Sequence, residues 1–114
     1  MWSRLLLRGL RPYITEGSSV LAVERGVADA LGPRRRTWAV LTDDALLLAT
    51  SVRAKTVLTN VPRSDIRAVT PVEPYVVDIA FDDFTHAVQR VVRLELTADH
   101  DKEGIIEQLK PATP

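Results

Sequence analysis

The chain has 114 residues, with 46% hydrophobic and 26% charged side chains, which is the make-up of one folded domain with its own core and excludes a disordered segment. It has no cysteine, so disulfides, thiolate nucleophiles and cysteine-ligated zinc are excluded, and the composition fits a reducing cytosol. Fifteen basic and fifteen acidic residues cancel, which argues against a broad nucleic-acid surface. The balance is uneven along the chain. Residues 1–70 hold 11 Lys and Arg against 6 Asp and Glu, and residues 71–114 hold 4 against 9. Either folding interleaves the two blocks or the molecule is dipolar with one basic edge.

Residues 2–11 suit a short helix, with Trp2, Leu5, Leu6 and Leu10 on one broad face and Arg4, Arg8 and Arg11 elsewhere. Pro12 disfavours helical geometry at Arg11, and Glu16 to Ser19 reads as a turn. Such a helix either packs on its own domain or lies in a membrane interface with its arginines at the headgroups. No apolar run approaches the ~20 residues that span a bilayer, and arginines interrupt the apolar start too soon for a signal peptide. The chain therefore reads as cytoplasmic, peripheral at the inner membrane face if it meets a membrane at all.

From Val20 to Val27 the pattern is that of a strand, in which Gly26 marks a bulge or a close approach. Ala28 to Pro33 is a loop. Arg34 to Thr50 reads as a hairpin, with a basic lead-in, an apolar strand, an Asp43-Asp44 turn and a second apolar strand. Trp38 and Val40 face one way and Ala39 and Leu41 the other, so both faces are buried and Trp38 belongs to the core. Lys55 to Val61 is a fourth strand and Ser64 to Val69 a fifth. Pro71 and Pro74 then argue against a continuous ladder. Tyr75 to Phe81 alternates Val77, Ile79 and Phe81 with acidic residues, and Val88 to Thr97 sets Val88, Val92, Leu94 and Leu96 against Gln89, Arg93 and Glu95. A helix follows, with Asp99 as N-cap and Ile105, Ile106 and Leu109 facing inward. The expected architecture is mainly β, with about seven strands in a partly open barrel or two packed antiparallel sheets, a short N-terminal helix and a C-terminal capping helix.

The run Arg34-Arg35-Arg36-Thr37-Trp38-Ala39-Val40-Leu41-Thr42-Asp43-Asp44-Ala45-Leu46-Leu47-Leu48 resembles the second and third strands of pleckstrin-homology-like (PH-like) domains. Thr56 to Val69 is similar to the next part of bacterial PH-like and GRAM-like domains, and Val76 to Leu109 completes the pattern with two strands and a helix. The C-terminal helix lacks the tryptophan of eukaryotic PH domains, and the N-terminal leader is closer to the bacterial branch. The resemblance divides the chain into a leader (1–15), a PH-like domain (16–110) and a frayed tail (111–114). It implies a binding or scaffold module with no cofactor. In lipid-binding PH domains a basic residue late in the first strand and an Arg-x-Arg entering the second grip inositol phosphates. Arg25 with Arg34-x-Arg36 resembles that set, with arginine in place of the family's lysine and Asp29 inside the loop.

No phosphate loop, nucleophile elbow or dinucleotide fingerprint occurs, so no catalytic, cofactor or metal residues are assigned and the chain is read as a non-enzyme. His86 and His100 stand beside acidic residues but lack a metal-binding or catalytic spacing. Arg25, Arg34, Arg35, Arg36, Arg53 and Lys55 form the candidate site, because guanidinium forks bind anions bidentately. The expected partner is a protein or an anionic membrane surface met at this basic hairpin edge, and no nucleic acid. The competing reading is a small-ligand carrier or small enzyme with a cavity in the barrel.

Overall fold

The computed structural model describes residues 8–97 and 104–109. The Trp2–Leu6 part of the leader, Asp99, His100 and the tail lie outside the described residues. Seven strands follow in order: β1 (Val20–Ala28), β2 (Arg35–Thr42), β3 (Ala45–Val52), β4 (Lys55–Pro62), β5 (Ile66–Glu73), β6 (Val76–Asp83) and β7 (Val88–Leu96). All of them join one antiparallel sheet, ordered β4-β3-β2-β1-β7-β6-β5. The sheet is open, with β4 and β5 as its unjoined ends. It is continuous rather than two separate packed sheets. Its halves nevertheless share a core, since Ala39, Leu41, Leu46 and Leu48 cluster with Val77, Ile79, Val92 and Leu94. Ile105, Ile106 and Leu109 of the C-terminal helix (Ile105–Leu109) close that core with the inward stripe expected of them.

Period-two alternation accounts for the two buried faces of the hairpin. Ala39 and Leu41 enter the main core, whereas Val40, Leu47 and Ala49 form a second cluster on the outer face. Leu10, helical and only 5% exposed, seals this second cluster, with Ile14 and Leu58 packed against it. The end of the leader therefore packs on its own domain. The chain does not leave helical geometry at Arg11, as proline was expected to impose. It tightens into a 3-10 turn over Arg11–Tyr13, where Pro12 occupies an early position that needs no N–H. Segment 15–19 is then tied to the Asp-Asp turn. Ser19 N–H donates to Asp43 Oδ2 (2.8 Å), Ser18 Oγ donates to Asp44 Oδ1 (3.0 Å) and Asp43 N–H donates to Ser19 O (3.1 Å).

Two expectations need correction, and one alternative the sequence left open is decided. β5 runs on past Val69 through Pro71 to Glu73, as an edge strand allows, but its pairing with β6 is irregular between Pro71 and Glu73 and the strand ends before Pro74, so the ladder is broken where the prolines stand. Val88 shares the inward parity of Val92 but is exposed, since it stands at the hairpin tip beyond the core. The acidic and basic halves of the sequence are partly interleaved by the fold: Arg34 pairs with Glu95, and Arg67 with Asp82, while Arg90–Asp83 and Arg93–Asp78 pair within the second half.

Gly26 is a close approach, not a bulge. β1 meets β7 only over Gly26–Ala28, and a Cβ at Gly26 would stand 2.1 Å from the Glu95 carbonyl oxygen. The C-terminal helix is held at both ends, its Ile105 N–H donating to the Glu24 carboxylate of β1 and its Gln108 carbonyl accepting from Arg63 Nη2 (3.1 Å). Gly26→Ala is expected to lower stability by about 3 kcal/mol, because the opposing atom is backbone and cannot swing away. Leu10→Ala should cost a similar ~3 kcal/mol by emptying the outer cluster. Equilibrium urea denaturation of both variants measures these losses.

Candidate functional site

Antiparallel neighbours place the β1–β2 loop, the β3–β4 turn and the β6–β7 turn at one end of the sheet. Side-chain bonds tie the first to β7: Arg93 N–H donates to Asp29 Oδ1 (2.8 Å), and Arg90 donates to the Ala30 carbonyl. Five of the six cations singled out in the sequence, all but Arg25, lie at this end. They are not equivalent. Arg34 is engaged bidentately by Glu95, with Nε to Oε2 at 2.6 Å and Nη2 to Oε1 at 2.8 Å. Among the described residues, Arg25, Arg35, Arg36, Arg53 and Lys55 are in no ion pair.

Strand parity divides the unpaired cations between the two faces. Arg25 stands opposite Trp38, and Arg36 opposite Val27, on the outer face. There they line a groove of about 720 Å³ with Trp38, Ser51, Glu95 and Thr97. Arg35 has the opposite parity. With Arg53 and Lys55 it borders a second concavity of about 450 Å³, whose apolar floor is Val52, Ala54 and Val57. The sequence grouping thus becomes two sites back to back, and the Arg25 and Arg34-x-Arg36 set retains only Arg25 and Arg36 as unpaired cations. Trp38 also has a double role, since it packs half-buried against the outer cluster and lines the groove. Ser51, Glu95 and Thr97 were missed in the sequence. They come from β3 and the far end of the chain, and no local pattern marks them.

Arg53 adopts φ 57°, in the left-handed region where a Cβ costs about 1–2 kcal/mol. The two-residue β3–β4 turn imposes this conformation, and glycine or asparagine would meet it more cheaply. At the same end of the sheet, in the β6–β7 turn, Phe84 is 72% exposed, and Leu31 of the β1–β2 loop is exposed as well. This end therefore carries both unpaired cations and bare apolar side chains.

His86 lies in the β6–β7 turn and lines neither concavity; its Nδ1 is 2.8 Å from Asp83 Oδ2. Among the described residues no three His, Asp or Glu side chains converge in a metal-ligating group. The His86 ring holds the Asp83 carboxyl down, aided by Arg90 (Nη1 to Oδ2, 3.1 Å) and by the His86 backbone N–H, so that its pKa falls from 3.8 to about 2. Asp44 is also lowered, by hydrogen bonds from Thr15, Thr42 and Ser18. Both carboxyls bind protons less readily folded than unfolded. Their stabilisation is complete above the unfolded value of 3.8 and is lost as pH falls through the folded values, near 2 for Asp83. Urea denaturation from about pH 5 to pH 2 should show stability falling in that window, and Asp83→Asn should make the fall shallower.

No family model matches this chain, and no curated protein matches it. Among solved structures it is similar to the C-terminal domain of an unknown protein from Leishmania infantum, at a TM-score of 0.58 and 7% identity over 84% of this chain and 85% of that one. That likeness extends over nearly the whole of both chains and is one of fold alone.

Proposed function

We propose that this chain is a non-enzymatic, PH-like binding module that docks its loop end on an anionic membrane surface. The observation that carries the reading is the composition of that end, which holds unpaired Arg35, Arg36, Arg53 and Lys55 and also exposed Leu31 and Phe84 on its loops. Cations near a negatively charged leaflet contribute about 1 kcal/mol each, and an aromatic side chain at a turn tip buries apolar area among the acyl chains. Of the acidic side chains at this end, Glu95, Asp82 and Asp83 are paired with Arg34, Arg67 and Arg90, which leaves Asp29 of the β1–β2 loop, bonded to the Arg93 backbone N–H, as the one without a cation among the described residues. The strained Arg53 fits the same role, a charge kept where a glycine would be less strained.

The strand order and the terminal helix agree with the PH-like resemblance of residues 34–48. Filling of the interior by Leu41, Leu46, Leu48, Ile79 and Leu94 favours a surface-binding role over a ligand carried inside the sheet. The protein would act at the inner face of a membrane as a peripheral component. No helix among the described residues is long and apolar enough to cross one.

Co-sedimentation with vesicles of phosphatidylcholine and increasing phosphatidylserine, at several salt concentrations, tests this. Binding should rise with anionic lipid and weaken with salt. An Arg36→Glu, Arg53→Glu, Lys55→Glu triple variant should lose more than roughly a hundredfold in affinity, given about 1 kcal/mol per cation removed. Phe84→Ser should weaken binding roughly tenfold while leaving the salt dependence in place. No binding of the unaltered protein to anionic vesicles at low salt would end the proposal.

A further inference from the structure

The two unpaired edges of the sheet are built differently. β5 carries Pro71, has register irregularities between Ile66 and Ala68 and between Pro71 and Glu73, and bears Arg67 and Glu73. Proline, irregular pairing and charge are the features by which natural edges resist addition of another strand. β4 has none of them between its ends. Thr56-Val57-Leu58-Thr59-Asn60-Val61 is uncharged, rich in β-branched residues, and pairs with β3 in unbroken register. Among the described residues, the hydrogen bonds of this segment go to β3 alone, and Thr56, Val57 and Asn60 are exposed. Among the described residues, this edge presents a row of backbone donors and acceptors without the proline, irregular pairing or charge that deters a partner strand.

Charge at one end of β4 specifies the occupant. Arg35, Arg53 and Lys55 surround the apolar-floored concavity at the start of the strand. Every pairing in the sheet is antiparallel, and an antiparallel strand added to β4 ends its run beside Lys55. We infer that β4 receives an extended C-terminal segment of another protein, added as an eighth strand, with its terminal carboxylate in the Arg35–Arg53–Lys55 concavity. Main-chain hydrogen bonds supply the affinity, and the carboxylate sets direction and register. A second copy of this chain fits less well. Pairing β4 with itself about its centre would set Lys55 opposite Pro62 and leave both concavities without an anion.

A library of random seven-residue peptides with free C-termini, selected against the full chain, tests the inference. Enriched peptides should alternate β-branched or apolar residues and depend on the free carboxylate. A synthetic peptide of the consensus should shift and protect the amides of Thr56 to Val61. Amidating its C-terminus, or introducing Lys55→Glu, should weaken it at least tenfold. Val57→Lys, which places a charge on the edge, should do the same while circular dichroism shows the fold intact. If Val57→Lys fails to fold, the amidated peptide and Lys55→Glu carry the test. Phe84→Ser should leave peptide binding unchanged, which separates strand addition from membrane docking. The inference is overturned if nothing is enriched, if the bound peptide perturbs the Arg25–Arg36 groove in place of β4, or if sedimentation shows a dimer that Val57→Lys dissolves.

Discussion

The two halves of the sheet are joined through a seam of three residue pairs, Gly26 with Leu96, Val27 with Glu95 and Ala28 with Leu94. The seam exists because Gly26 has no side chain, which lets β1 lie against the Glu95 backbone at a distance no Cβ tolerates. Much of the molecule follows from it. The seam makes one sheet of seven strands, so that inward residues of both halves fill a single core. It brings Glu95 within reach of Arg34, and it sets the β1–β2 loop beside β7, where Asp29 and Ala30 accept from Arg93 and Arg90. The chemistry of the loop end is thus a consequence of backbone packing some distance from it.

A second constraint acts at the β2–β3 hairpin, which is apolar on both faces. A sheet with one solvated face alternates apolar and polar residues. Here Val40 and Leu47 point away from the main core and need their own cover, which Leu10 and Ile14 supply. The Asp-Asp turn fastens that cover by accepting from Ser18 and Ser19, so a turn that first serves to reverse the chain also holds the leader. The end of the leader, residues 8–15, belongs to the folded unit, and its apolar Leu10 is used in packing. The proposed membrane contact is therefore placed at the loop end, where Phe84 is 72% exposed.

The two binding proposals share a boundary at Arg53 and Lys55, which stand between the loop end and the start of β4. A membrane and a partner's C-terminus would approach this boundary from different directions, one against the turn tips and one along the edge. Occupation of the concavity by a carboxylate would neutralise cations that membrane docking would also use, so the two ligands would be coupled through charge at a shared site.

The sequence by itself was enough to place strands, the Asp43-Asp44 turn, the choice between a bulge and a close approach at Gly26, and the two faces of the hairpin. These depend on a period of two, on short acidic side chains at a turn and on the missing Cβ of glycine, all local properties of the chain. It also singled out the cations. What it could not determine was which strands become neighbours, because pairing across sixty or more residues leaves no local mark. Tertiary structure therefore decided that Arg34 is neutralised by Glu95 and that Arg35 and Arg36 serve opposite faces of one strand end. It also joined Ser51 and Thr97 to Trp38 in one groove, and left β4 as the unguarded edge while Pro71 became harmless on β5. Side-chain direction follows from sequence spacing, but what a side chain meets depends on the strand that arrives beside it.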